Sequence, residues 1–112
     1  MYWGDMPIID VEFDDAKVTD EEIQTLSVAV QKIVSEVTGI EDVSVYANSA
    51  RITVKVAPIE VFVRLSAHKI PDLEKMFTVL KTQVANWKRA SQFAQSINLT
   101  LIPMTWKFEV GI

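Results

Sequence analysis

The stretch from Thr19 to Gly39 constrains the fold more tightly than any other part of the chain. Thr19-Asp20-Glu21-Glu22 reads as a capping box, in which the Thr19 hydroxyl accepts from the backbone N–H of Glu22. The acids of that first turn also suit the positive end of a helix dipole. Ile23, Leu26, Val30, Ile33, Val34 and Val37 then recur at spacings of three and four, which draws one apolar stripe along a helix. Gly39 supplies the left-handed residue that ends it. A helix with a single apolar stripe must lie on something, and the residues around it alternate as strands do.

From Pro7 to Phe13, Ile9, Val11 and Phe13 point one way while Ile8, Asp10 and Glu12 point the other, the pattern of a half-buried strand. Val43 to Tyr46 makes a second strand, followed by a turn at Asn48-Ser49. Ile52, Val54 and Val56 alternate with Arg51, Thr53 and Lys55, and after Ala57-Pro58 a further run from Ile59 to Leu65 alternates again, so a hairpin is expected. A second helix is expected to start at Pro71, where a missing N–H costs nothing, and to run to about Gln95 with Leu73, Met76, Phe77, Leu80, Val84, Trp87 and Phe93 as its stripe. From Ile97 to Val110 the chain is β in character but changes phase: Leu99 and Leu101 fall on odd positions, Met104, Trp106, Phe108 and Val110 on even ones. Since strand side chains alternate strictly, this predicts a bulge or break, with Pro103 at it.

The order β-α-β-β-β-α-β, with no linker or low-complexity segment, implies one α+β domain over residues 1–112: a mixed sheet with two helices on one face. The other face would carry Ile8, Tyr46, Phe62 and Trp106, which predicts a homo-oligomer.

Charge and composition remove several functions. The net charge of −4 argues against nucleic acid, because phosphate binding needs a clustered basic face. Lys69, Lys75, Lys81, Lys88 and Arg89 are spread along the second helix among acids and read as a solvated face. With no cysteine and the single histidine His68, neither a disulfide framework nor a multi-histidine or thiolate metal site can form, and no cofactor is called for. No segment has the run of about 18 apolar residues that a membrane span needs. The beginning of the chain lacks a basic leader pattern, so a cytoplasmic protein is expected. The acids Asp10, Glu12, Asp14 and Asp15 are close in sequence, yet two lie on a strand and two in a loop, which favours a solvated strand end over a cation site.

The segment MPIIDVEF, the capped helix after it and EDVSVYA resemble the first unit of tautomerase-superfamily proteins of the 4-oxalocrotonate tautomerase and 5-carboxymethyl-2-hydroxymuconate isomerase type, most clearly over residues 6–47. The resemblance implies β-α-β units, single or fused in pairs, assembled as trimers or hexamers with their sheets inward; a ferredoxin-like module is the alternative arrangement. It also implies an amino-terminal proline as general base, here Pro7. A secondary amine in an apolar pocket has its charged form disfavoured and can accept a proton near neutrality. That role requires a free imino nitrogen, whereas MYWGDM precedes Pro7 and makes it a tertiary amide. The family's arginines hold substrate carboxylates bidentately. The corresponding candidates are Lys17 in the loop before the first helix, with Arg51 and Arg64 on strand faces, while Ser44 stands where an arginine is implied. Arg51 and Arg64 read more readily as partners of Asp10, Glu12 or Glu60 across strands. Two functions therefore follow: a non-catalytic homo-oligomer that binds a small organic molecule or a protein, which the sequence as written favours, or a keto–enol tautomerase that depends on a free Pro7.

Overall fold

A computed structural model describes residues 7–50, 53–54, 56–107, 109 and 111–112. Its elements run β1 (Ile8–Phe13), α1 (Asp20–Thr38), β2 (Ser44–Ser49), β3 (Ile59–Ser66), α2 (Leu73–Ser91) and β4 (Ile97–Met104), with a short 3-10 turn at Ala67–Lys69. The strands form one sheet in the order β2-β1-β3-β4. The outer pairs are parallel and the central pair, β1 with β3, is antiparallel. Each parallel pair is closed by its own helix, so the molecule is two β-α-β units joined back to back through β1 and β3.

Alternation decides which side of the sheet the helices cover. Ile9, Val11, Ile59, Val61 and Val63 are essentially inaccessible and merge with the stripe of α1 in one core. Leu26, Val30 and Val34 supply its centre from α1, and Leu80 and Val84 contribute from α2. The α+β class with two helices on one face of a mixed sheet is as the sequence led us to expect.

The first helix begins and ends where its signals lie. Thr19 accepts from the Glu22 N–H at 3.1 Å, the Glu22 carboxylate accepts from the Thr19 N–H at 3.0 Å, and Gly39 closes the helix at φ 73°.

Four expectations are corrected. The strand expected over 51–56 is absent at Thr53, Val54 and Val56, while Arg51, Ile52 and Lys55 lie outside the described residues. Its alternation marked no buried face, since Val54 is 85% exposed, and β3 takes β1 as its antiparallel partner in place of a hairpin neighbour. The turn expected at Asn48-Ser49 is instead the end of β2, paired with Glu12 and Phe13. The second helix is 19 residues long, shorter at both ends than its apolar stripe suggested. Asp72 is its N-cap, accepting from the Lys75 N–H at 3.0 Å, which leaves Pro71 ahead of the cap; Gln92 stops it in the left-handed conformation at φ 57°. Phe93 thus lies beyond the helix, its ring 5.2 Å from that of Trp87, and both are half-buried.

The break anticipated at Pro103 is displaced too. Pro103 is paired within β4, opposite Leu65, and this is tolerated because β4 is an edge strand. The regular strand stops at Met104; Thr105, Trp106 and Lys107 follow without it, and Phe108 and Val110 lie outside the described residues. No helix among the described residues is long and apolar enough to cross a membrane.

Candidate functional site at the head of β1

Pro7 immediately precedes β1, and its side chain is among the most deeply buried in the molecule. Its carbonyl accepts from the Ser44 N–H at 3.3 Å, which aligns the starts of β1 and β2. Met6 acylates its nitrogen, so the lone pair is delocalised into the amide and has no basicity at any working pH.

The sheet register assembles the rest. Ile8 has Ser44 beside it on β2 and Arg64 on β3. Arg64 forms an ion pair with Asp10 on the sheet face turned away from the helices, and its guanidinium carbon lies 5.9 Å from the centre of the Phe62 ring. The two ionic side chains retain 32% and 27% exposure, so the pair is screened by water and contributes modestly to stability. Its chemical effect is larger: a carboxylate approaching Arg64 must compete with one already in place. One step further, Ser66 is 2% exposed and its hydroxyl accepts from the Trp106 indole N–H at 3.1 Å. Pro7, Ser44, Arg64, Ser66 and Trp106 therefore share one end of the sheet.

Lys17 is not there. It sits in the loop after β1, and the six residues of that strand put about 20 Å between it and Pro7. Its side chain is 58% exposed and 3.9 Å from Asp14. Arg51 lies outside the described residues. The neighbouring acids have turn-making work: Asp14 accepts from the Ala16 N–H at 3.0 Å and Asp15 from the Ser49 hydroxyl at 2.7 Å. His68 lies exposed in the 3-10 turn. On the same face as Arg64 but at the far end, Glu12 and Glu60 are direct cross-strand neighbours, and Glu60 accepts from the Asn98 amide at 2.9 Å.

Two contacts escaped the sequence reading. The Ser66–Trp106 bond joins residues of different elements, and its one sequence signal is a serine closing an apolar alternation. Gln95 donates to the Lys17 carbonyl at 3.0 Å and to Glu22 at 3.3 Å, tying the entry of β4 to the capping box of α1. The Thr19 backbone N–H holds the Glu22 carboxyl below its ordinary range against an opposing desolvation, with further help from the Gln95 amide and the Thr19 hydroxyl.

The strand order, paired β-α-β units and helix placement give the chain a tautomerase-like fold. Solved structures of similar shape include the 5-carboxymethyl-2-hydroxymuconate isomerase from Deinococcus radiodurans R1, at 14% identity over 96% of this chain and 92% of that one, TM-score 0.65. A fused 4-OT in a symmetric trimer matches at 15% identity, 87% and 85% coverage and TM-score 0.64. A macrophage migration inhibitory factor-like protein from Entamoeba histolytica matches at 17% identity, 93% and 94% coverage and TM-score 0.58. The likeness is one of fold. No family model and no curated protein sequence matches the chain.

Proposed function

We propose that this chain is a homo-oligomeric, non-catalytic module that binds small organic molecules on a tautomerase-like scaffold. The observation that carries the reading is the state of Pro7. Its ring fills the head of β1, but its nitrogen is acylated by Met6 and has no proton-accepting lone pair. Arg64, the candidate beside it for holding a carboxylate, is engaged by Asp10, and Lys17 is at the other end of the strand. Assembly is supported by the half-buried Ile8 and Phe62 and the exposed Tyr46 on the sheet face that no helix covers, and by similar structures described as trimers.

A second reading, a keto–enol tautomerase with Pro7 as base and Arg64, Lys17 or Arg51 holding the substrate carboxylate, is favoured by the isomerases among the similar structures and by Arg64 lying one register step from Pro7.

Ketonisation of a 2-hydroxymuconate, followed by ultraviolet absorbance, separates the two. The full chain should not exceed the buffer rate, and sedimentation equilibrium should give an oligomer. Turnover by the full chain, or a monomer at micromolar concentration, would overturn the first reading. Turnover only by a chain made to begin at Pro7, lost on Arg64→Ala, would show that the second reading applies to a processed form.

A further inference from the structure

The seam between α2 and the edge strand β4 holds two adjoining grooves that share Leu99, one of about 420 Å³ and one of about 300 Å³. Their chemistry is graded along the helix. At the end nearer the start of α2 the walls are Leu73 and Phe77 against Leu99 and Leu101. At the other end Lys81 and Lys88 stand over Val84 and Ile97. Leu73, Phe77, Lys81 and Lys88 lie on one flank of α2, the flank away from Trp87 and α1, so the grooves follow the open side of the sheet. We infer that this seam binds an amphipathic organic anion, a carboxylate whose head pairs with Lys81 and Lys88 and whose hydrocarbon tail lies on Phe77, Leu99 and Leu101.

Three observations carry the assignment, which rests on the reading of the chain as a small-molecule binding module and names its ligand class. First, the sign of charge at the head end runs against the protein's net charge of −4, so the two ammonium groups are a local exception. Second, Lys88 is held in position: it donates to the Gln95 carbonyl at 2.6 Å, and an ammonium has three protons, which leaves donors for a ligand. Lys81 lies 5.9 Å from the centre of the Phe77 ring, at the boundary between the polar and apolar parts. Third, Glu74 lines the apolar end, where it would repel a second anionic head and so fixes the ligand's direction. The volumes are those of ordinary small-molecule clefts.

The test titrates the full chain with octanoate, decanoate and decanol below their micellar concentrations, observed by heteronuclear NMR. Decanoate should bind saturably and shift Phe77, Leu99 and Leu101. Affinity should rise about fourfold per added methylene. Decanol should bind at least tenfold more weakly, and Lys81→Met and Lys88→Met should each cost about tenfold, which is the loss of one charge-assisted bond. Lys75→Met, on another flank of α2, should change nothing. No saturable binding, or equal binding of decanol, would overturn the assignment. Saturable binding that shifts residues around Pro7 instead would remove this site while leaving the binding-module reading intact. A subunit contact found across the seam, broken by Lys81→Glu, would place a second copy there and overturn the assignment too.

Discussion

The two β-α-β units are built to one plan and filled unequally. Both helices have 19 residues, both open on a side chain that caps the third residue, and both end on a left-handed residue. Yet α1 buries Ile23, Leu26, Val30, Ile33 and Val34, whereas α2 buries only Leu80 and Val84. The strands follow suit: β3 buries five of its eight residues, and the edge strand β4, with as many residues, buries none. The lesson is that a repeated backbone does not imply a repeated role. The first helix closes the core, while the second leaves an open flank with grooves along it.

That contrast can be tested most forcefully with one leucine from the buried stripe of α1 and one from the groove side of α2. Leu26→Ala, at 0% exposure in α1, should cost about 3 kcal/mol in urea unfolding, while Leu73→Ala, 44% exposed at the start of α2, should cost less than about 1. Equal losses would mean that the groove side of α2 is packed as tightly as the core face of α1. Next come the helix ends. Gly39 adopts φ 73° without strain, but Gln92 reaches φ 57° with a Cβ attached. Gln92→Gly should therefore stabilise by about 0.5–1 kcal/mol and Gly39→Gln should destabilise by about the same, read from thermal melts.

The central strands give a smaller effect. Glu12 and Glu60 face each other across β1 and β3, and like charges so placed repel. Glu12→Gln should raise stability by about 0.3 kcal/mol at low salt, and less in strong salt. The smallest effect is at Glu22, whose carboxyl is held below its ordinary range by the Thr19 N–H and the Gln95 amide. A depressed folded-state pKa gives stability that is complete above the unfolded-state value and lost as pH falls through the folded one. The difference between the wild type and Glu22→Gln in acid titration should close as the solution is acidified. A difference that widens would contradict the bond.

Where the sequence succeeded and failed follows the same division. The first unit is legible apart from the end of β2 at Asn48-Ser49, because its signals are local: a capping box, a stripe, a glycine stop and an alternating strand with an apolar face. The chain after β2 is less legible because the deciding interactions are not local. Alternation at Thr53 to Val56 looked like a strand until the partner of β3 proved to be β1, and no residue spacing reports pairing across that interval. Helix α2 was overextended because Phe93 continues the stripe after Gln92 has already turned the backbone. At the candidate site, Pro7 and Arg64 were both named from sequence, but that they adjoin while Lys17 stands a strand's length away depends on register. The Asp10 partner of Arg64 was among the three acids anticipated. In sequence alone the lysines of the α2 seam look like a solvated face, because only the position of β4 gives them an apolar floor.

The antiparallel joint between β1 and β3 also sets the order in which the molecule can be made. A ribosome delivers β1, α1 and β2 first, and these can pair, leaving the other edge of β1 bare until residues 59–64 emerge. During that interval the nascent chain presents an unsatisfied central strand that carries Ile9 and Val11. Any identical strand on a neighbouring polysome is a competitor for it. Any delay before β3 reaches β1 should therefore favour exchanged dimers over correctly closed sheets.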